Sequence, residues 1–470
     1  NPGITSVADL EALLEATAIG LGEDPEEFEP EDLTGELSGT GVLSDEAINN
    51  TSQREQESYG TNLQMTFLQD LFGRDNNLTV GYAFFQGDSL FDAVLELARL
   101  DPATRSTAGL GTGTFVDSEA TSVDTMTRSW SLYFTDTIAL TEQLALTVAG
   151  RYNDTHVEVS DTTGTRPELN GRHDYDRFNP SVGLTFNPDP ALNVYGSYSE
   201  SSRAPTPIEL SCNDETAARF EQRTGEDDFE CRLPNAFLAD PPLDMVVTKS
   251  FEFGARGELP LARYHLGFFR SDNHDDILFQ TTGRATGLFA NVDKTRRQGI
   301  EGSLNGEFDK LAWRLNYTWL EATFQDDFLA LSPAHPLAND DGEIPVSDGD
   351  DIPGIPDHQL KFGGDYRFGN GLVIGGEVIY NSGQYLRGDE SNQLDKLDGY
   401  AIVNLRAAWR FSPRVEVFVR GDNVFDKDYE NFGLLGEDPS EVLDGLADTR
   451  PFFLGAGAPR AGWIGLRVRL

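Results

Sequence analysis

The chain has 470 residues, 79 of them acidic and 36 basic, for a formal charge of −43 at pH 7. That balance excludes a nucleic-acid partner, since phosphate binding needs a basic surface. Mean hydropathy is −0.40, and no apolar run approaches the ~20 residues of a membrane helix; a β-barrel stays open, because its strands show lipid only every second side chain.

Residues 1–55 lack strand alternation. DLEALLEATAIGL fits a short amphipathic helix, followed by an acidic Gly/Pro tract, and this segment reads as a partly helical extracellular loop. From Gln56 to Leu470 the spacing predicts strand after strand. Tyr59, Leu63, Met65 and Phe67 share one face; LFGRDN turns; Leu78, Val80, Tyr82 and Phe84 return. After a connection to about residue 122, Trp130, Leu132 and Phe134 descend and Leu144, Leu146, Val148 and Tyr152 ascend. The pattern continues through Phe178–Phe186 with Leu192–Tyr198, Phe251–Leu259 with Tyr264–Phe268, and Ile300–Phe308 with Trp313–Trp319. Leu360–Phe368 with Leu372–Tyr380, Val403–Trp409 with Val415–Val419, and a terminal strand bearing Ile464, Leu466, Val468 and Leu470 complete it. The count is about fifteen.

Connections alternate between very short and long. A soluble sandwich or propeller has no reason to sort its connections by length; a transmembrane barrel does, with tight periplasmic turns and long outer loops. The opposite faces are polar or small (Asn62 and Gln64, Glu252 and Arg256, Asn404 and Arg406), which suits a wet or plugged lumen. The fold class is therefore all-β, an antiparallel transmembrane β-barrel. Asp136 departs from the pattern by taking a lipid-facing register, but beside a short turn, where a carboxylate costs little.

The candidate loops hold much of the acid: EDPEEFEPED, GEDDFE and SDGDD. They read as solvated, self-repelling surface, or as sites where divalent cations bridge to neighbouring lipopolysaccharide. Cys212 and Cys231, a close pair in one loop, read as a loop-closing disulfide of an oxidising compartment. Arg203 and the Arg296–Arg297 pair sit where strands meet outer loops, and with Tyr385 they are candidates for a ligand path, since Arg recognises carboxylates bidentately; pairing with structural carboxylates is the alternative. SDNHDD, with Asp272, His274, Asp275 and Asp276, is either a cation site or a charged strand exit. No Ser/His/Asp set and no phosphate-binding glycine loop occurs, so no catalytic residue, metal centre or cofactor is expected.

Four strings, NVYGSYSESSRAPTPIEL (193–210), NVDKTRRQGIEGSL (291–304), IPGIPDHQLKFG (352–363) and LRAAWRFSPRVEVFVRGDNVFDKDYENFG (405–433), resemble the barrel of TonB-dependent outer-membrane receptors. The block containing Asn423, Val424, Phe425 and Tyr429 is among that family's most recognisable features. The resemblance implies a 22-stranded barrel around a plug, in the outer membrane of a Gram-negative bacterium, importing scarce nutrients, most often ferric siderophores, with energy from the TonB complex. The terminal residue departs from the pattern: the family usually ends in Phe or Trp, and this chain in Leu470. Single-chain barrels have even strand numbers, so an odd count implies that about seven strands, the plug and the TonB box lie outside this sequence. Such a piece is expected to curl into a smaller closed barrel or remain an open curved sheet. A plug-less porin-like or adhesive barrel, and an outer-membrane enzyme using His274, are the rival readings.

Overall fold

Period-two alternation folds into fifteen long strands, each paired antiparallel with its sequence neighbour. They are β1 (Glu46–Leu68), β2 (Asn76–Asp101), β3 (Phe115–Ala139), β4 (Leu144–Asp161), β5 (Gly171–Asp189), β6 (Leu192–Arg203), β7 (Val246–Leu259) and β8 (Ala262–Gly283). The remainder are β9 (Thr286–Phe308), β10 (Leu311–Phe324), β11 (His358–Arg367), β12 (Leu372–Asn381), β13 (Tyr400–Ser412), β14 (Val415–Asp422) and β15 (Ala461–Val468). This computed structural model describes residues 46–469 except 102–103, 105, 110–114, 165–166, 211–221, 223–229, 232–235, 239–242, 284–285 and 437–450.

Connections at one end run from two residues (190–191) to seven (69–75), while the other end carries 204–245, 325–357 and 423–460. At the short end the first turn places Phe72 and Gly73 at φ 55° and 74°, with Leu71 and Arg74 exchanging both backbone hydrogen bonds at 2.9 and 3.1 Å. This left-handed pair matches the twist of the flanking strands.

β1 starts at Glu46, ten residues inside the segment read from sequence as loop. Residues 49–55 are all polar, so alternation vanishes even though the strand continues. Several strands exceed twenty residues, about twice what a bilayer crossing needs.

The two faces differ sharply. Leu63, Phe253, Leu266 and Ile464 are all more than half exposed on one. On the other, polar side chains bridge across an intervening strand, as they do on the concave side of a curved sheet. Asp136 lies on the apolar face and accepts a 2.6 Å hydrogen bond from Asn76, the first residue of β2, at the short-turn end. β1 pairs only with β2 and β15 only with β14; among the described residues no pairing joins the two outer strands, so the sheet is open.

Candidate functional site

The polar face is built by a repeated device. Strands stand about 4.8 Å apart, so a long side chain reaches the next strand but one only if the residue between is small. Tyr133 of β3 lies over Gly81 of β2 and donates to Asn62 of β1 at 3.0 Å. Arg406 of β13 holds Asp365 of β11 through two bonds of 2.9 and 2.8 Å, across Gly375 of β12. Arg314 reaches Glu377 at 3.3 Å, and Glu416 sits between Arg410 at 2.9 Å and Arg467 at 2.7 Å. Tyr195 donates to Glu252 and meets His265, both at 2.9 Å. The wall is polar and charge-paired, and among the described residues these bridges set no nucleophile against a base.

At the long-loop end, residues 325–357 and 382–399 pack together. Phe324, Ala330, Ile344 and Val346 form a small buried core. Above it His335 contacts Asp389 at 3.1 Å, both fully buried, and Ser332 donates to the Gly388 carbonyl at 2.6 Å. Burial pushes the carboxyls of Asp350 and Glu390 above their ordinary values. Tyr175, near the outer end of β5, donates to the Leu243 carbonyl at 3.2 Å; burial, then Asp244 and Glu209, push its hydroxyl to about 12.

The residues singled out from sequence have separate surroundings. Arg203 grips the buried carboxylate of Glu209 at 2.9 and 3.2 Å, in a one-turn helix (Pro207–Leu210). Arg297 joins the polar face, bonding Asp276 at 3.1 Å. Asp275 takes a left-handed backbone of φ 54°, and Asp276 after it accepts from Thr295 at 2.6 Å on that side. Arg296 points to the apolar-face side and meets Asp272 at 2.7 Å. Tyr385 carries the Lys396 ammonium 4.5 Å above its ring, and Lys396 reaches Asp351 and Asp357 at 3.2 and 3.4 Å. Among the described residues no three His, Cys, Asp or Glu side chains converge as metal ligands, those of SDNHDD included. Cys212 lies outside the described residues, as does the side chain of Cys231.

The Asn423 block is architectural. Asn423 is buried, its amide donating to the carbonyls of Lys427 and Ala458 at 2.9 and 3.1 Å and its oxygen accepting from Lys427 N–H at 2.9 Å. Val424 N–H bonds Val403 at 2.9 Å, Phe425 is exposed, and the Tyr429 ring packs 4.3 Å from that of Tyr400. Together they staple the end of β14 to the start of β15. On β15, Ile464, Leu466 and Val468 share the apolar face and Arg467 the other, as the alternation predicts; Leu470 lies outside the described residues.

Residues 27–424 match the family described as TonB dependent receptor-like, beta-barrel. The chain belongs to the TonB-dependent receptor family. It is 28% identical over 215 residues to the ferric-pyoverdine M114 receptor PbuA of Pseudomonas sp. (strain M114), covering 43% of this chain and 24% of that one. The siderophore receptor PiuA of Acinetobacter baumannii superposes with a TM-score of 0.62 at 16% identity, over 89% of this chain and 56% of PiuA. The copper transporter OprC gives 0.61 at 17%, over 89% and 57%. The chain thus spans a quarter to little more than half of these relatives. TonB-dependent receptor barrels are Gram-negative outer-membrane proteins, and the family comprises receptors and transporters, not enzymes. The short turns of this receptor therefore face the periplasm, the long loops the exterior, and the polar face the lumen.

Sequence reading missed the His335–Asp389 contact and the lumenal bridges. A signal for the bridges exists: glycines such as Gly81 and Gly375 recur at polar-face positions of otherwise bulky strands.

Proposed function

We propose that this chain forms most of the barrel of an outer-membrane receptor that takes up a ferric siderophore, energised by the TonB complex acting on an N-terminal part beyond these strands. The observation that carries the reading is the lumenal wall. Its charges are paired side to side, some of them across glycines, which suits contact with a folded plug rather than passive conduction through a strongly charged pore. Two open strand edges in a membrane protein call for further strands, since lipid cannot satisfy their backbone groups. Likeness to a ferric-pyoverdine receptor supports a ferric chelate as cargo. On this reading the charged outer loops capture a chelate too large to diffuse passively.

Deleting the gene and growing the strain under iron limitation with a panel of ferric chelates, pyoverdines included, tests the proposal. Loss of growth on one chelate, restored by the full-length gene only when the TonB complex is intact, is the expected result. Unaltered growth on every chelate, or TonB-independent restoration, overturns it.

A further inference from the structure

Where β11, β12 and β13 reach the long-loop end, the outer segments close over a small recess on the lumenal side. Gln359, Asn381 and Tyr400 form one register row across these strands, about 20 Å outward of the row that holds Asp365, Gly375 and Arg406. The even spacing keeps the side chains of both rows on the lumenal face. Gln384, Asp398 and Glu430 come in from the segments above and complete a recess of about 240 Å³. Its walls are pinned. Asn381 donates to the Tyr400 hydroxyl at 2.7 Å, and buried Gln384 donates to the Asn431 carbonyl at 3.2 Å. Gln384 and Leu397 exchange both backbone hydrogen bonds, at 3.2 and 2.7 Å.

The charge of the lining is one-sided. The side chains of Asp398 and Glu430 make no hydrogen bond or ion pair among the described residues, and no Lys or Arg lines the recess; Lys361 stands one row inward. Elsewhere at the long-loop end cations are engaged by the protein's own acids. Arg203 is held by Glu209, Arg296 by Asp272 and Arg297 by Asp276, while Lys396 lies between Asp351 and Asp357. The volume falls below the roughly 300–1,000 Å³ of a whole small-molecule site, so the recess takes one arm of a ligand. An anionic arm would meet two uncompensated carboxylates. A cationic arm gains both, with the Gln359 and Gln384 amide oxygens to accept its remaining N–H groups.

We propose that the recess receives an ammonium or guanidinium arm of the ferric chelate, so that the cargo is a chelate bearing a free cationic group rather than a polyanionic one. The inference rests on the uptake reading above and adds to it the charge of the cargo. The net charge of −43 works in the same direction, concentrating cations at the receptor surface.

The test titrates full-length receptor in mild detergent with ferrioxamine B, amine-bearing ferric pyoverdines and ferric citrate. The first two are also used after acetylation of their free amines, which removes the charge and leaves the iron coordination unchanged. At least one amine-bearing chelate should bind more tightly than ferric citrate and weaken about tenfold on acetylation. Asp398→Asn with Glu430→Gln should abolish that difference; Glu430→Gln alone serves if heat-modifiable gel migration shows the double variant unfolded. Asp395→Asn, an exposed acid of the same segment outside the recess, should keep it. Equal binding before and after acetylation, preference for ferric citrate, or a folded variant that discriminates as strongly as the unaltered receptor overturns the cationic-arm inference and leaves ferric-chelate uptake standing. Binding of no amine-bearing probe overturns it as well, and the growth test above then decides uptake separately.

Discussion

His335 and Asp389, 54 residues apart in two different outer loops, meet at 3.1 Å with neither side chain reaching solvent. Because Leu337 N–H donates to the imidazole Nδ1 at 3.1 Å, Nε2 carries the proton and donates to Asp389. Asp389 also accepts from the N–H groups of Gln393 and Leu394 at 2.8 and 3.0 Å. One carboxylate therefore fastens both loops.

Asp389→Ala should strand the buried His335 donor, at a cost of about 1–3 kcal/mol, and release the part-buried N–H groups of Gln393 and Leu394. The expected outcome is rapid proteolysis within 325–357 and 382–399 while the barrel stays folded on gels. Loops as resistant as in the unaltered receptor would refute the fastening role.

Glu390 gives these loops a pH dependence whose sign is fixed. Its carboxyl is raised from 4.5, burial being the largest cause, so folding favours the protonated form. The associated stability is full below 4.5 and is lost as pH rises through the raised folded value. Amide exchange in 384–397, corrected for its intrinsic pH dependence, should slow between pH 7 and 4.5. Glu390→Gln should slow exchange at pH 7 and flatten the profile.

Lumenal glycines are steric requirements. A Cβ at Gly375 would collide with the Asp365 carboxylate and lie 2.8 Å from the Gly364 carbonyl, whereas one at Gly369 meets nothing within 4 Å. Gly375→Val should displace Asp365 from Arg406 and cost about 1–3 kcal/mol; Gly369→Ala should be nearly neutral. Heat-modifiability midpoints of the full-length receptor in detergent measure both.

The face assignment predicts an asymmetry between neighbouring strands. Leu266→Arg on the lipid side should cost about 2–4 kcal/mol in liposomes. Ser303→Arg, on the lumenal face opposite His265, should cost far less. Urea titration of refolded receptor distinguishes them, and equal costs would invert the assignment.

Cys212 and Cys231 are expected to be linked. Non-reducing mass spectrometry of receptor from the outer membrane should find a peptide joining them, and two free thiols would disprove the pairing.

Ile464, Leu466 and Val468 against Arg467 show how much alternation alone encodes: strand, face and membrane follow from a two-residue period, because lipid and lumen impose opposite chemistries on successive side chains. The same logic failed at residues 46–55, where the run from Asn49 to Glu55 is polar at every position and no contrast remains to mark the strand. The Asn423 block was legible as a motif, but its work as a staple became visible only once Lys427 and Ala458 stood beside it.

Sequence by itself thus determined the all-β class, the fifteen crossings and the two unequal ends. The tertiary structure decided what is shared between strands: which pairs bridge over a glycine, that Arg296 meets Asp272 while Arg297 meets Asp276, and that His335 finds Asp389. Those contacts depend on register and on loop packing between segments far apart in the chain, and no local period records either.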